Sequence, residues 1–595
     1  MWFRKLVVIV AKSTMKCLPQ TWVDTLKQSP YLLAMYSKNI HYSGLMYQLP
    51  TASETQTQYD KYLRFQHKKI QCESKQSLKQ CSFNVVICID AYDEALLVRT
   101  LQSIRESVRE SENKASVILW ARDECLPALA ELANQYDELT ITLVSELNKQ
   151  CLQTELLDSS CFVVFSGDVI SAQLPSVIAH FALNDSTVAY VDTDIMLQGQ
   201  TLRSTPDFKP DWNPDLQLTN GYIRTGVWLK SLRFFADTSP HLSTFCIVRF
   251  LCYQYLVNRI VEVQHIPLTL VSRVAAEVDI HDGIDYLSDL ISQYTEVRKS
   301  QKATLHLRWP LQKSPLVSLI IPTRNGKALV EACIESILNK TDYKNYEILL
   351  VDNNSDDIES LQYFDSLALH PKVSLIRYPA VFNYSAINNF AVKQAKGSII
   401  GLVNNDIEVI SASWLTDMVG QVLRDDIGCV GAKLIYASGR IQHAGVILGY
   451  GGGAGHAHKY FMDDHPGYNN RLIASHNFSA VTAACLLVNK SDFEAVGGLN
   501  EQNLAVAFND VDFCLKIQNL GLRNLFCAEA VLYHHESISR GAEDTVEKQL
   551  RFKGELEYLQ ATWCEEIKSD PAYNRNLTLH SENFAIKDYP TEIEK

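Results

Sequence analysis

The stretch Gly401-Leu-Val-Asn-Asn-Asp-Ile-Glu-Val409 sets Asn404, Asn405 and Asp406 directly after a short apolar run, with Glu408 two residues on. Oxygen donors of this kind suit a hard cation such as Mg2+ or Mn2+ bridging a diphosphate. The same three residues also make an ordinary polar turn. Which reading holds depends on what precedes them. Ser398-Ile-Ile-Gly-Leu-Val403 reads as a buried parallel strand. Open α/β sheets bind ligands beyond the carboxyl ends of such strands, where polar side chains of this sort belong.

The neighbouring elements follow the same alternation. Leu316–Ile321 reads as a strand, Pro322-Thr-Arg-Asn-Gly326 as a turn and Ala328–Leu338 as a helix. Tyr346–Val351 is the next strand, followed by the polar loop Asp352-Asn-Asn-Ser-Asp356, a strand at Val373–Ile376 and a helix at Tyr384–Ala395. An earlier copy of the rhythm has strands at Asn84–Asp90, Ser116–Trp120, Leu139–Val144 and Cys161–Phe165, with helices near Glu94–Arg109 and 126–136. This is the β-α-β pattern of a doubly wound sheet. The copies stand about 230 residues apart, too far for a solenoid and suited to a duplicated domain. Residues 300–315 read as a linker between them. The glycines of Gly445–Gly455 suggest a mobile loop at the active site, near His443, His456 and His458, which are as readily plain loop residues.

Composition narrows the function classes. The 595 residues allow two or three domains with sizeable cores, and the net charge of −13 argues against a nucleic-acid binder. Fifteen cysteines, an odd number without a Cys-x-x-Cys pair, fit reduced thiols in a cytosolic protein. No apolar run reaches the length of a membrane span. Residues 1–23 mix Trp2, Phe3, Leu6 and Val7 with Arg4, Lys5, Lys12 and Lys16; they suit either an anionic membrane surface or packing on the protein itself. The expected location is cytoplasmic, either free or peripheral at the inner face of the plasma membrane.

From Val317 to about Tyr533 the chain resembles the family 2 glycosyltransferases, inverting enzymes of the GT-A fold. The likeness is carried by Val317-Ser-Leu-Ile-Ile-Pro-Thr-Arg324, Glu347-Ile-Leu-Leu-Val-Asp-Asn-Asn-Ser355 and Phe382-Asn-Tyr-Ser-Ala-Ile-Asn-Asn-Phe-Ala391. It continues through Val403-Asn-Asn-Asp-Ile-Glu408, Ile441-Gln-His-Ala-Gly445, Gly455-His-Ala-His-Lys459, Val481-Thr-Ala-Ala-Cys485 and Gly497-Gly-Leu-Asn-Glu501. Phe508-Asn-Asp-Val-Asp-Phe-Cys514 and Leu532-Tyr-His-His-Glu-Ser537 complete it. The tail Asp570-Pro-Ala-Tyr-Asn-Arg-Asn-Leu577 is similar to that of the tandem-domain, rhamnosyltransferase-like branch of bacterial O-antigen and polysaccharide assembly.

That resemblance implies two tandem GT-A domains, Rossmann-like in their nucleotide-binding parts, with helical extensions. The expected divisions are a helical region at 1–81, a degenerate domain at 82–300, a catalytic domain at 315–545 and a C-terminal extension at 546–595. It implies a nucleotide-sugar donor held by Pro322, Thr323, Arg324, Asp352, Asn388, Asn404, Asn405 and Asp406. It implies a divalent metal, Mg2+ or Mn2+, on Asp406 and His534, with His535 the alternative to His534. The family's triplet usually opens with Asp, whereas Asn404 offers a neutral oxygen. Asp510 matches the catalytic base that takes the proton of the acceptor hydroxyl. Asp512 would orient the loop or acceptor, since residues two apart on a helix point apart.

In the first copy Phe165-Ser-Gly-Asp-Val169 has Ser166 in place of a metal-binding aspartate, Phe245–Phe250 has no carboxylate, and Leu270-Val-Ser-Arg273 lacks the histidine. Residues 82–300 are therefore expected not to transfer sugar. The resemblance favours transfer of L-rhamnose from dTDP-rhamnose to a glycan or lipid-linked glycan. Transfer of another hexose from a UDP- or GDP-sugar and a non-catalytic carbohydrate-binding scaffold are the alternatives. A dehydrogenase is disfavoured, because no Gly-x-Gly-x-x-Gly follows either first strand.

Overall fold

The computed structural model describes residues 49–74, 83–111, 115–145, 154–181, 187–196, 202–238, 243–259, 263–274, 280–299, 303–535 and 545–590. The segment 1–23, considered above for membrane contact, lies outside them. The chain divides into two compact units. One holds Thr51–Arg308, Pro571–Thr578 and residues from Ile586; the other holds Trp309–Asp570 and Leu579–Ala585.

In the second of these the main sheet runs Val373–Arg377, Tyr346–Asp352, Val317–Thr323, Ile399–Val403, Cys485–Asn489, Ile427–Ile435, Arg523–His534 and Ile407–Val409. The first four strands are parallel, and Cys485–Asn489 then enters antiparallel between Ile399–Val403 and Ile427–Ile435. Alternate residues feed two cores. Leu319, Ile321, Ile348 and Leu350 join one, while Ile320, Leu349 and Val351 join the other. A strand covered on both faces must be apolar throughout, which is why Ile399–Val403 is buried at every position. Gly401 lets that strand sit close: a Cβ there would lie 2.6 Å from Leu319 and 2.9 Å from Leu487.

Flanking helices follow their sequence signals. Lys327–Lys340 buries Val330, Cys333, Ile334 and Ile337, one stripe at helical spacing. Tyr384–Val392 begins where Asn383 caps it, its side chain accepting the Ala386 amide at 3.0 Å.

The other unit repeats this plan. Its sheet runs Thr140–Ser145, Ala115–Ala121, Phe83–Ile89, Cys161–Phe165, Val227–Leu229, Val188–Met196, Gln264–Arg273 and Val169–Ile170. Each neighbour has the same parallel or antiparallel sense as its counterpart in the first-described sheet. Eight strands thus recur in one order with one set of directions.

Two expectations change. Residues 300–315 are not simply a linker: Leu305–Arg308 is a strand, paired antiparallel with Glu296–Lys299. The run Gly445–Gly455 is not a loop but a hairpin, Val446–Leu448 against Ala454–His456. Its glycines serve the tip, where Gly449, Gly451 and Gly452 take positive φ and close a tight turn. Buried Ile447 and Leu448 hold the hairpin to the protein. Of the region 1–81, the helix Ala52–Ser74 is described.

Candidate active site

Strand ends gather the polar residues singled out in the sequence. Ile407 pairs with His534 in the antiparallel ladder, which brings Asp406 and His534 side by side. Asp406 Oδ1 lies 3.2 Å from His534 Nε2, both side chains being almost fully buried. Asn404 Nδ2 lies 3.3 Å from the same nitrogen. Asp406 Oδ1 and His534 Nδ1 are buried without hydrogen-bond partners. His535 turns elsewhere, its Nε2 3.4 Å from Glu408 Oε2, while its amide donates to the Asp406 carbonyl. Of the two histidines, His534 is the one facing Asp406.

A buried carboxylate oxygen with no donor is costly unless a cation or proton satisfies it. Carboxylate, imidazole and an amide side chain are a donor set that a hard or borderline divalent ion accepts. Among the described residues there is no cluster of three or more His, Cys, Asp or Glu side chains able to hold a metal. The protein therefore offers two strong ligands and Asn404, and a bound ion would complete its shell from outside the chain.

The remaining donor-side residues divide. Thr323 Oγ1 accepts from Asn405 Nδ2 at 3.0 Å, joining two strand ends. Pro322 is partly buried beside it, and Arg324 is exposed with Nη2 3.6 Å from Asp356. Asp352 is buried and engaged by the protein: Oδ1 accepts the Ser355 amide and hydroxyl, and Oδ2 meets the Arg377 guanidinium. A carboxylate offers about four lone-pair sites, so with Oδ1 taken twice and Oδ2 once, one further contact remains open, on Oδ2. Arg377 was not singled out in the sequence; its ion pair arises because Asp352 and Arg377 are register partners on adjacent strands. The expectation for Asn388 is revised. Its side chain has no exposure, and Nδ2 donates to the Tyr384 carbonyl one turn back, leaving no surface for a donor.

Asp510 and Asp512 start the helix Asn509–Gln518 and diverge as helical geometry requires. Asp510 accepts the Ala483 amide on Oδ2 at 3.2 Å and the Val511 amide on Oδ1 at 2.9 Å. Burial pushes its carboxyl above the ordinary range, against the opposing effect of these bonds. Asp512 is buried, accepting Trp563 Nε1–H at 3.0 Å with Lys516 Nζ 3.3 Å away. One aspartate thus has its strong partners in the protein and the other has only backbone donors and Thr482.

Thr482-Ala483-Ala484 ties these pieces together. The Ala484 carbonyl accepts the Asn404 amide, the Ala483 carbonyl accepts the Tyr384 hydroxyl, and the Ala483 amide reaches Asp510. The Thr482 and Gly445 amides approach His443 Nε2 at 3.4 and 3.3 Å. Because Nε2 accepts, the His443 proton sits on Nδ1 and is given to His456 Nδ1 at 2.8 Å. His456 is then a neutral ring with its donor on Nε2. Burial drives both pKa values down, that of His456 to about 3. His458 has a packing role, stacked on Phe584 with Nε2 accepting the Tyr468 amide.

The C-terminal helix Val546–Thr562 supports the loop before Asp510. Buried Glu555 accepts the Val506 and Ala507 amides at 2.8 and 3.2 Å, and Trp563 at the helix end holds Asp512. A sequence reading had no signal for these links beyond the likeness of the tail.

Residues 318–496 match the family model described as Glycosyl transferase family 2. The unit that holds Asp406, Asp510 and His534 is thus built around a family 2 glycosyl transferase domain. The chain is 36% identical over 548 residues to the uncharacterized protein y4gI of Sinorhizobium fredii, covering 84% of this chain and 58% of that protein. It is 31% identical over 457 residues to the O-antigen biosynthesis protein RfbC of Myxococcus xanthus, covering 73% of this chain and 35% of that protein. The chain therefore spans little more than half, and about a third, of the lengths of these relatives. Among solved structures it is similar to a Pyrobaculum calidifontis mannosyltransferase in complex with GDP-Man and Mn2+, at 18% identity and TM-score 0.33, covering 44% and 68% of the two chains. No helix among the described residues is long and apolar enough to cross a membrane.

Proposed function

We propose that the chain is an inverting glycosyltransferase of surface polysaccharide or O-antigen assembly, with its chemistry in the second GT-A domain of a tandem pair. The observation that carries this reading is the facing of Asp406 and His534 at the strand ends, beside the family 2 domain match. The donor is a nucleoside-diphosphate sugar lying across Pro322–Arg324, Asp352 and Asn404–Asp406. Its acceptor is a glycan or lipid-linked glycan, and dTDP-L-rhamnose is the proposed donor. Asp406 and His534, with Asn404 beside them, would hold a divalent cation, which supplies positive charge to the departing diphosphate.

In the step itself the acceptor hydroxyl oxygen attacks the anomeric carbon from the face opposite the diphosphate. A C–O bond forms, the bond to the phosphate oxygen breaks, and Asp510 takes the hydroxyl proton. Burial that raises the Asp510 carboxyl makes it a stronger base than a solvated aspartate. Asp512, fixed by Trp563 and Lys516, keeps the helix start in place rather than moving the proton. Among the described residues of the first unit, the helix Cys246–Leu256, which precedes Gln264–Arg273 as Asn509–Gln518 precedes Arg523–His534, opens with Cys246 and Ile247 and carries no carboxylate.

The test is release of nucleoside diphosphate from a panel of dTDP-, UDP- and GDP-sugars, with and without a diphosphate-linked acceptor. Acceptor-dependent release from one sugar nucleotide supports transfer. Release from none of them, with the protein folded and supplied with Mg2+ or Mn2+, would favour the non-catalytic scaffold.

A further inference from the structure

The first unit has a cleft of its own at the matching strand ends. Val169 pairs with Ser272 as Ile407 pairs with His534, so Asp168 stands where Asp406 stands and Ser272 replaces the histidine. A cavity of about 190 Å3 opens there, lined among others by Asp90, Ser166, Asp168, Arg224, Phe245 and Arg273. At roughly 30 Å3 per water it has the room of about six waters.

Its chemistry differs from that of the other site. Asp168 is buried and already held by the Thr225 hydroxyl at 2.5 Å and the Phe165 amide at 3.0 Å. Asp90 is paired with Arg122. Arg224 points its guanidinium toward the Phe245 ring while bonding the Gly221 and Asn220 carbonyls. Among the described residues Arg273 makes no hydrogen bond or ion pair, and only its charge reaches Asp168. The Ser166 hydroxyl is buried without a partner. Both acids are therefore engaged, whereas the Arg273 guanidinium and the buried Ser166 hydroxyl at the cavity wall lack a partner among the described residues. A divalent cation would meet arginine where the other site offers histidine and amide. An anion would find donors, and arginine is suited to phosphate oxygens.

We infer that this cleft is a second binding site, for a diphosphate group, with Arg273 supplying the positive charge that a metal ion would otherwise bring. The diphosphate can come from a nucleotide or from a lipid-diphosphate glycan; both present the same oxygens. The site needs no catalysis, and its existence does not rest on the transfer proposed above.

Equilibrium binding to the full chain in excess EDTA tests it, using dTDP, UDP, GDP and farnesyl diphosphate as probes. At least one should bind without metal, about tenfold or more weaker in Arg273→Ala, partly restored in Arg273→Lys, and weakened in Ser166→Ala. The binding that belongs to this cleft is the component that Arg273→Ala and Ser166→Ala weaken, which separates it from any binding to the other unit. Saturation by nucleotides alone assigns the site to the nucleotide, and saturation by farnesyl diphosphate alone assigns it to a lipid-linked ligand. No binding in EDTA by any probe, or binding indifferent to both Arg273→Ala and Ser166→Ala in folded protein, would overturn the inference.

Discussion

Replacing Asp510 by Asn separates proton transfer from everything else the residue does. The carboxylate accepts two backbone amides, from Ala483 and Val511. Asparagine keeps one acceptor oxygen, so one bond is lost, worth about 1 kcal/mol. Against that, Asp510 has a carboxyl raised by burial. A carboxyl whose folded pKa is raised favours the folded state fully below its unfolded pKa, and that advantage is lost as pH rises through the folded value. At neutral pH the ionised, buried group is a liability, and the neutral amide removes it. The two effects oppose, so the variant should unfold at nearly the wild-type temperature at pH 7 and compare less favourably in acid. Turnover is a different matter. Loss of a general base costs about 10²- to 10⁴-fold, or roughly 3–5 kcal/mol of barrier at about 1.4 kcal/mol per decade.

Steady-state kinetics against pH with the best sugar nucleotide would read this. Wild-type kcat/KM should fall on the acid side with unit slope, at a midpoint above that of a solvated aspartate. In the variant the limb should vanish with donor binding intact. A variant that turns over within tenfold of wild type, or retains the limb, would place the base elsewhere and refute the reasoning.

Other expectations follow from the same geometry. EDTA should abolish transfer and Mn2+ or Mg2+ restore it; full activity in chelator would remove the cation from Asp406 and His534. Asp406→Ala should lower turnover by at least 10²-fold in folded protein, measured as nucleoside diphosphate release. Trp563→Phe deletes the indole donor to Asp512 and leaves a buried carboxylate oxygen short of a partner, costing about 1–3 kcal/mol in urea unfolding. Long-range 1H–15N spectra should show neutral His443 protonated on Nδ1 and neutral His456 protonated on Nε2 down to pH 5; titration of His456 between pH 5 and 7 would contradict its burial and the pKa of about 3.

The strands were the most legible part of the chain. Cys161–Phe165 has the same limits in the sequence reading and the structure, and Tyr346–Asp352 and Val373–Arg377 differ by one residue each. Cys161–Phe165 and Tyr346–Asp352 are almost wholly buried, so hydrophobicity alone marks them, while the edge strand Val373–Arg377 is buried only at Val373 and is marked by its β-branched and apolar residues. Gly445–Gly455 misled because glycine content was taken as mobility, whereas positive φ at a hairpin tip demands the same residue. Asn388 misled for a related reason: a polar residue near a strand-end site can be consumed by its own helix backbone. Arg377, Glu555 and Trp563 were beyond reach, since nothing local in sequence says that residues 25, 49 and 51 positions away meet Asp352, Val506 and Asp512.

The two sheets share one strand plan while the residues at their strand ends differ. Strand order and direction are held by whole cores: Ile399–Val403 feeds two apolar clusters, and Cys161–Phe165 is buried at its first four positions. A polar side chain past the last ladder bond is held only by what it touches. The step from His534 to Ser272, or from Asp510 to Ile247, therefore leaves the sheet unchanged and alters only the chemistry at its edge. What the first unit gains there is Arg273, next to Ser272 in the strand and within electrostatic reach of Asp168. A fixed guanidinium supplies positive charge without a dissociable ion, so chelator should separate the two edges: sensitive at Asp406 and His534, indifferent at Arg273. Loss of both binding activities together in EDTA would mean that the two edges share one mechanism despite their different residues.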